Sequence, residues 1–245
     1  MSQVTAYDLI VLGGGPGGYV AAERAGAAGL KVLLIEQGHM GGVCLNAGCI
    51  PSKTLLYSAK LFAQAKHLGD FGVQVGEPSF DLAKVMARKE KVIQTLRQGI
   101  AFLMQQNKIT VVNGRGQLVA PGTVQVGDQR YQGRHIIVAT GSAPVRPPIP
   151  GANLPHVLDS TGILNITALP KRLVIIGGGV IGMEFASFFN SVGVEVTVVE
   201  LLPEILPLMD AEMAVMLRKT LKGVKFQLST KVTAITAEAV QVEAK

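Results

Sequence analysis

Cys44 and Cys49 are the only cysteines in the 245-residue chain, and they stand five positions apart in the stretch Gly41–Lys53, GGVCLNAGCIPSK. Two thiols that close together can make and break a disulfide during chemistry. A disulfide needs Cα atoms roughly 4.4–6.8 Å apart, whereas five residues of regular helix rise about 7.5 Å. The backbone between the cysteines therefore has to tighten or kink, and Asn46 and Gly48 are the residues there that tolerate left-handed or strained conformations. Pro51 suits the first turn of a following helix, which would carry Lys53, and a thiolate beside such a helix start is stabilised and made more reactive. On these residues alone two other readings stay open. One is a pair of buried structural thiols, since free cysteine is among the most buried residue types. The other is a metal site, although zinc asks for four ligands and the stretch holds no histidine or acid.

The elements around this stretch narrow the choice. Asp8–Leu12 is a short apolar run of the kind found in buried parallel strands. It leads into Gly13-Gly14-Gly15-Pro16-Gly17-Gly18, then an alanine-rich stretch, Tyr19–Ala28, that predicts a helix. Lys31–Ile35 predicts a second strand, ending at Glu36. This order is a complete dinucleotide-binding fingerprint. Gly13 permits the tight turn, Gly15 lets the backbone approach a pyrophosphate, and Gly18 lets helix and strand pack closely. The helix N-terminus faces the phosphates, and Glu36 suits ribose hydroxyls.

The pattern occurs twice. Leu173–Ile176, Gly177-Gly178-Gly179-Val180-Ile181-Gly182, a helix over Met183–Val192 and a strand over Val194–Val199 end at Glu200. From first glycine to terminal acid is 23 residues in both copies, 13 to 36 and 177 to 200. The duplication predicts an α/β chain with two Rossmann-like units and two nucleotide sites. An acid at Glu200 favours NAD over NADP, because it repels a 2′-phosphate.

Between the copies, helices are expected over Thr54–Leu68 and Leu82–Gln106, the second capped by Asp81 and buried through Val85, Ile93, Leu96, Ile100 and Leu103. A strand is expected at Ile109–Val112, a hairpin at Thr123–Val126 and Gln129–Tyr131 around Gly127-Asp128, and a further strand at Arg134–Ala139, before Thr140-Gly141-Ser142. The prolines at 144, 147, 148, 150 and 155 predict a linker. The domain expectation is therefore a first domain over 1–145, a linker over 146–168 and a second domain over 169–245. A helix over Asp210–Leu221 and strands at Val224–Leu228, Thr230–Ile235 and Ala239–Glu243 follow.

Composition excludes other classes. No apolar run reaches the 18 or so residues of a membrane span, and the polar start lacks a secretory pattern, so a cytoplasmic location is expected. Two cysteines do not make a disulfide-rich scaffold, and in a reducing compartment a disulfide is more often catalytic than structural. The net charge of +6 is dispersed, aromatics are 5% and tryptophan is absent, which argues against nucleic-acid binding. The histidines at 39, 67, 135 and 156 are scattered and are read as structural or exposed.

Two fingerprints around a CxxxxC and a lysine resemble the pyridine nucleotide–disulfide oxidoreductases, over essentially all 245 residues. Within that family the cysteine stretch is most similar to the branch that oxidises protein-bound dihydrolipoamide. The resemblance implies FAD at the first fingerprint and NAD at the second. It assigns Gly13, Gly15, Pro16, Gly18, Glu36, Gly42, Cys44, Lys53, Gly116, Thr140, Gly141 and Ser142 to FAD. To NAD it assigns Gly177, Gly179, Gly182, Glu184, Glu200 and Val232. It further implies that Cys49 exchanges electrons with the flavin, that Cys44 exchanges with the dithiol substrate, and that Lys53 sets a positive charge near the flavin. Glu184 is a candidate partner for Lys53, or else a first-turn acid stabilised by its helix dipole. The implied partners are a lipoyl domain of a 2-oxoacid dehydrogenase complex and a second subunit of a homodimer, with no nucleic acid and no membrane. Family members continue past residue 245 into a dimer interface and a catalytic His–Glu pair, so this chain is expected to be an N-terminal part that turns over poorly alone. A related glutathione- or mercuric-type reductase and a non-catalytic flavin-binding fragment are the alternatives, separable by cofactor preference and by whether the cysteines titrate with the flavin.

Overall fold

The structure, a computed structural model, describes residues 5–244. The chain forms two compact units, the first comprising residues up to Pro51 with Glu90–Ala143, the second Ser52–Lys89 with residues from Pro144 onward. Along the chain run β1 (Thr5–Leu12), α1 (Pro16–Ala27), β2 (Val32–Glu36), α2 (Gly42–Ala47), α3 (Cys49–Ala65), α4 (Leu82–Gln106), β3 (Thr110–Asn113), β4 (Gly116–Ala120), β5 (Thr123–Val126) and β6 (Gln129–Val138). They are followed by β7 (Arg172–Ile176), α5 (Val180–Ser191), β8 (Glu195–Val199), α6 (Ala211–Thr220), β9 (Val224–Gln227), β10 (Thr230–Ile235) and β11 (Val240–Ala244). Short 3₁₀ turns occupy Leu68–Phe71 and Gly162–Asn165.

The first unit is built on one six-stranded sheet in the order β3-β2-β1-β6-β5-β4. Strands β3, β2, β1 and β6 are parallel, while β5 and β4 are antiparallel additions. Alternation along the central strands divides their apolar residues between two clusters. Leu9, Val11, Val32 and Leu34 pack with Ala22 of α1 and with Ile93, Ile100 and Met104 of α4. Ile10, Leu12, Leu33 and Ile35 pack with Val124, Val126 and Tyr131 of the β5–β6 hairpin. A strand buried on both faces reads as an unbroken apolar run, which is why β1 and β2 stand out in the sequence.

Several expectations change here. The hairpin arm and the following strand are one strand, β6, which pairs antiparallel with β5 and, over Tyr131–Val138, parallel with β1. Gly133 lies within that strand, where a Cβ would be 2.8 Å from Cγ1 of Ile10. Strand β4 was not anticipated; its residues are half-buried or exposed and carry no alternating apolar signal. The expected inward face of α4 is also shifted. Ile93 and Ile100 are buried as expected, but Leu96 and Leu103 are exposed, and Lys89 and Met104 are buried in their place.

In the second unit β7, β8 and β9 form a parallel sheet in that order. Its core combines Val196 and Val198 of β8 with Met183, Phe185, Ala186, Phe188 and Phe189 of α5, Leu55 and Ala59 of α3, and Leu164. Lys89 is buried in this unit, its Nζ donating to the Leu164 carbonyl at 2.5 Å. The β10–β11 hairpin closes a smaller cluster of Ala152, Val199, Val232 and Ile235. Among the described residues β7 has a strand partner on one side only, whereas its counterpart β1 is paired on both. No helix among them is long and apolar enough to cross a membrane.

Asp210 caps α6 by accepting from the N–H groups of Glu212 and Met213. Near the other end of α6, Arg218 donates from Nε and NH2 to both carboxylate oxygens of Glu204, each at 2.8 Å. The Arg218 hydrogen bonds hold the Glu204 carboxyl below its ordinary value. A carboxyl lowered in this way stabilises the fold above its unfolded pKa, and the contribution disappears as pH falls through the folded one. Glu204→Gln is therefore expected to lower unfolding free energy by about 1 kcal/mol at pH 7. The difference from the parent should vanish well below the ordinary glutamate value of about 4.3. Urea unfolding at the two pH values checks it; an equal difference at both would be inconsistent with the ion pair.

Candidate functional site

The first glycine turn sits at the carboxyl ends of β1 and β2. Gly13 has φ +104° and donates its N–H to the Ile35 carbonyl at 2.8 Å. A Cβ on Gly13 would lie 2.2 Å from the Ala139 carbonyl oxygen and 3.2 Å from Cα of Thr140, so the turn and the Thr140-Gly141-Ser142 segment abut through bare backbone. Gly15 is the extended N-cap of α1, with Pro16 at its first position. Gly18 faces back, and a Cβ there would lie within bonding range of the Gly13 carbonyl oxygen. Gly42, at φ +58°, starts α2, and a Cβ on it would come within 2.6 Å of Cα of Gly15. Gly116 lies over the ends of the same strands, against Leu12 and Ile35 side chains.

Glu36 is held across this turn. Its Oε2 accepts from the Gly14 N–H at 2.6 Å and its Oε1 from the Gly38 N–H at 2.7 Å. The second turn repeats the arrangement. Gly177 has φ +106° and donates to the Val199 carbonyl. Glu200, which is buried, accepts from Gly178 N–H at 2.5 Å and Leu202 N–H at 2.8 Å. Gly179 is the N-cap of α5, and a Cβ on Gly182 would lie 2.2 Å from the Gly177 carbonyl oxygen. Val232 belongs to the cluster under β10, packed with Val199 and Ile235.

Cys44 and Cys49 are joined as a disulfide with Cα atoms 4.6 Å apart. The shortening comes from a break between two helices. Helix α2 carries Cys44 and ends at Ala47, Gly48 turns the chain, and α3 starts at Cys49. A Cβ on Gly48 would be 3.1 Å from the Val43 carbonyl. Asn46 does not supply the kink, contrary to the expectation for it, since it lies within α2 and has no positive φ. Its side chain instead donates to the carbonyls of Gly42 at 2.8 Å and Met40 at 3.1 Å, with a longer contact to His39 at 3.4 Å, and accepts from Nε of Arg97 at 2.5 Å. Cys49 is exposed and Cys44 half-buried, so the reading as two buried free thiols does not hold.

Lys53 follows Cys49 by four residues in α3. Its Nζ lies 3.3 Å from Oε1 of Glu184, and the lysine end of the pair is largely exposed. Helix α5 begins at Val180, so Glu184 is in the second turn and its role as a first-turn acid on the helix dipole is excluded. Sequence reasoning missed Asn46 as a hydrogen-bonding hub, and it missed Arg97, 51 residues away. One signal was available: Arg97 falls on the apolar stripe of α4 between Ile93 and Ile100, where a charge needs a partner.

Comparison with known proteins agrees with this geometry. The family model described as "Pyridine nucleotide-disulphide oxidoreductase" matches residues 7–245. The chain belongs to that family. It is 46% identical over 230 residues to the dihydrolipoyl dehydrogenase of Acholeplasma laidlawii, covering 92% of this chain and 68% of that one. It is 44% identical over 239 residues both to the mitochondrial dihydrolipoyl dehydrogenase of Pisum sativum and to the leghemoglobin reductase of Vigna unguiculata, covering 93% of this chain but 47% and 45% of theirs. The chain thus spans about half the length of most of these relatives. Among solved structures, the Cu(II) complex of the HOCl-induced flavoprotein disulfide reductase RclA from Escherichia coli superposes with a TM-score of 0.85 at 33% identity, over 99% of this chain and 54% of that one.

The glycine positions make a paired prediction. Gly18→Ala forces a methyl group onto the Gly13 carbonyl and is expected to lower the unfolding free energy by about 3 kcal/mol. Gly17→Ala, at a position with nothing within 4 Å of its Cβ, is expected to change it by less than about 0.5 kcal/mol. Denaturant unfolding of both variants checks the pair; equal effects would contradict the role assigned to Gly18.

Proposed function

We propose that this chain is the disulfide- and nucleotide-carrying part of a dihydrolipoyl dehydrogenase, oxidising a protein-bound dihydrolipoyl group with NAD. The observation that carries the reading is the Cys44–Cys49 disulfide, closed across a helix break in a chain with two complete glycine-turn and acid constellations. FAD is assigned to the first domain, residues 1–145, and NAD to the second, residues 169–245, joined through 146–168. The residues of the first turn fit a dinucleotide pyrophosphate: Gly13, Gly15 and Gly42 make a turn of bare backbone, with Gly42 packed against Gly15, and α1 presents its N-terminus there. Glu36, already oriented by two N–H groups, keeps unused lone pairs for ribose hydroxyls. Glu200 does the same for the adenine-side ribose of NAD, and its charge disfavours a 2′-phosphate. When bound, FAD supplies a two-electron relay from the cysteine pair to the nicotinamide.

The chemistry of the chain's own residues is thiol–disulfide exchange. One thiolate of the dihydrolipoyl group attacks the Cys44 sulfur, the Cys44–Cys49 bond breaks, and the electron pair leaves on Cys49. The second substrate thiolate then attacks its own mixed-disulfide sulfur, closing the lipoyl ring and releasing Cys44. The substrate loses two electrons and two protons, and the cysteine pair gains two electrons. Lys53, oriented by Glu184, holds a positive charge four residues along from the emerging Cys49 thiolate. The base that makes the attacking thiolate is proposed to be a His–Glu pair of the second subunit of a homodimer. A second reading, a related disulfide reductase, is favoured by the likeness to the flavoprotein disulfide reductase RclA, and preference for NADPH would support it.

The test is the visible spectrum of the purified chain before and after one equivalent of dihydrolipoamide. Flavin absorption with a new long-wavelength band on reduction is expected, as a thiolate meets oxidised flavin. Flavin absorption with no such band would separate the disulfide from the cofactor and overturn the mechanism. A colourless protein would overturn the assignment of FAD to these residues.

A further inference from the structure

We propose that Asn46 and Arg97 are positioning residues that keep Cys44 and Cys49 apposed when the bond between them is open, and so set the equilibrium of that disulfide. The S–S bond ties α2 to α3 while it exists. Once reduced, α2, six residues long and ending at a glycine, has to be held by something else if the thiols are to re-form the bond promptly. A helix this short has little stability of its own.

The side chain of Asn46 provides the hold. It lies between the two cysteines in sequence, and its amide N–H groups bond back to the Gly42 and Met40 carbonyls, which fixes the start of α2. Its oxygen accepts from Nε of Arg97 at 2.5 Å. Arginine can only donate, so the amide has one orientation here and cannot flip without losing every bond it makes. Arg97 is in turn set by the buried stripe of α4, with Ile93, Ile100 and Met104 packed against the sheet. A charge-assisted hydrogen bond thus runs from the rigid core of the first unit to α2, the helix that carries Cys44. None of these contacts involves sulfur, so all survive reduction.

The inference concerns the exchangeable disulfide of the proposed function but needs neither flavin nor turnover to test. The purified chain is equilibrated with mixtures of reduced and oxidised dithiothreitol. Each equilibration transfers two electrons and two protons between the dithiol and the Cys44–Cys49 pair. Free thiols are then trapped with a maleimide of added mass. Arg97→Met, which keeps the apolar stem and deletes the donor, is expected to shift the equilibrium about tenfold toward the open dithiol, equivalent to about 30 mV for a two-electron couple. Asn46→Asp, which keeps the acceptor but loses the N–H donors to Gly42 and Met40, is expected to shift it in the same direction. Arg97→Lys should recover part of the loss. Circular dichroism identifies any variant that fails to fold, and Arg97→Lys and Asn46→Asp then decide the matter. Folded variants with equilibrium constants within twofold of the parent overturn the positioning role while leaving the redox reading standing. A parent disulfide that dithiothreitol cannot open in the folded chain overturns both.

Discussion

The close approach of backbone to backbone at the two glycine turns is the constraint on which both units depend. The helix leaving each turn packs so near the first glycine's carbonyl that no side chain fits at Gly18 or Gly182. The acid at the end of the next strand then locks the turn by accepting the middle glycine's N–H, 22 residues earlier in both copies, and an N–H two residues later. A buried or half-buried carboxylate would be costly if left unpaired, and these two are paired with donors that the turn itself presents. The same residue thus satisfies the turn and is the one proposed to meet a ribose.

The redox stretch uses the same device of glycine contact and polar hub. Gly42 brings the start of α2 against Gly15, and Gly48 brings its end close to the Val43 carbonyl. Between them Asn46 bonds to the loop before α2 and to Arg97 of α4. The disulfide is therefore placed by the first glycine turn on one side and by α4 on the other. The glycine turn and the disulfide thus share one scaffold, and a substitution at Gly42 would disturb both.

What could be read from the sequence was local. The fingerprints declare themselves because turn, helix start, strand and acid fall within 24 consecutive residues, each constrained by its neighbours. Helix α4 was legible in extent and not in register. Its apolar candidates included Leu96 and Leu103, but the face that packs runs through Lys89, Ile93, Arg97, Ile100 and Met104, because long polar side chains can bury their stems and carry their heads to a partner. Those partners, Leu164 and Asn46, lie 75 and 51 residues away, a distance no periodicity reports. Gly133 falls in the gap between the two strands expected there, and in β6 it is a clearance residue against Ile10. The position of Glu184 turned on one helical turn: α5 starting at Val180 rather than Met183 converts a helix-start acid into a partner of Lys53.

Comparing the two copies separates what a glycine turn needs from what surrounds it. At Gly13 the neighbouring strand presses the Ala139 carbonyl to where a Cβ would be, which by itself would explain glycine there. At Gly177 nothing lies within 4 Å of that position, yet φ is +106° against +104°, and the N-cap glycines share φ −73°. The conformation is therefore not imposed by the third strand. It follows from the hydrogen bond of the first glycine to the second strand and from the carboxylate on the middle glycine, both internal to one strand–helix–strand unit. Gly177 is required for its positive φ alone, at a cost to other residues of roughly 1–2 kcal/mol, and Gly13 for that and for contact. The same sequence motif is thus under two different degrees of steric restraint within one chain.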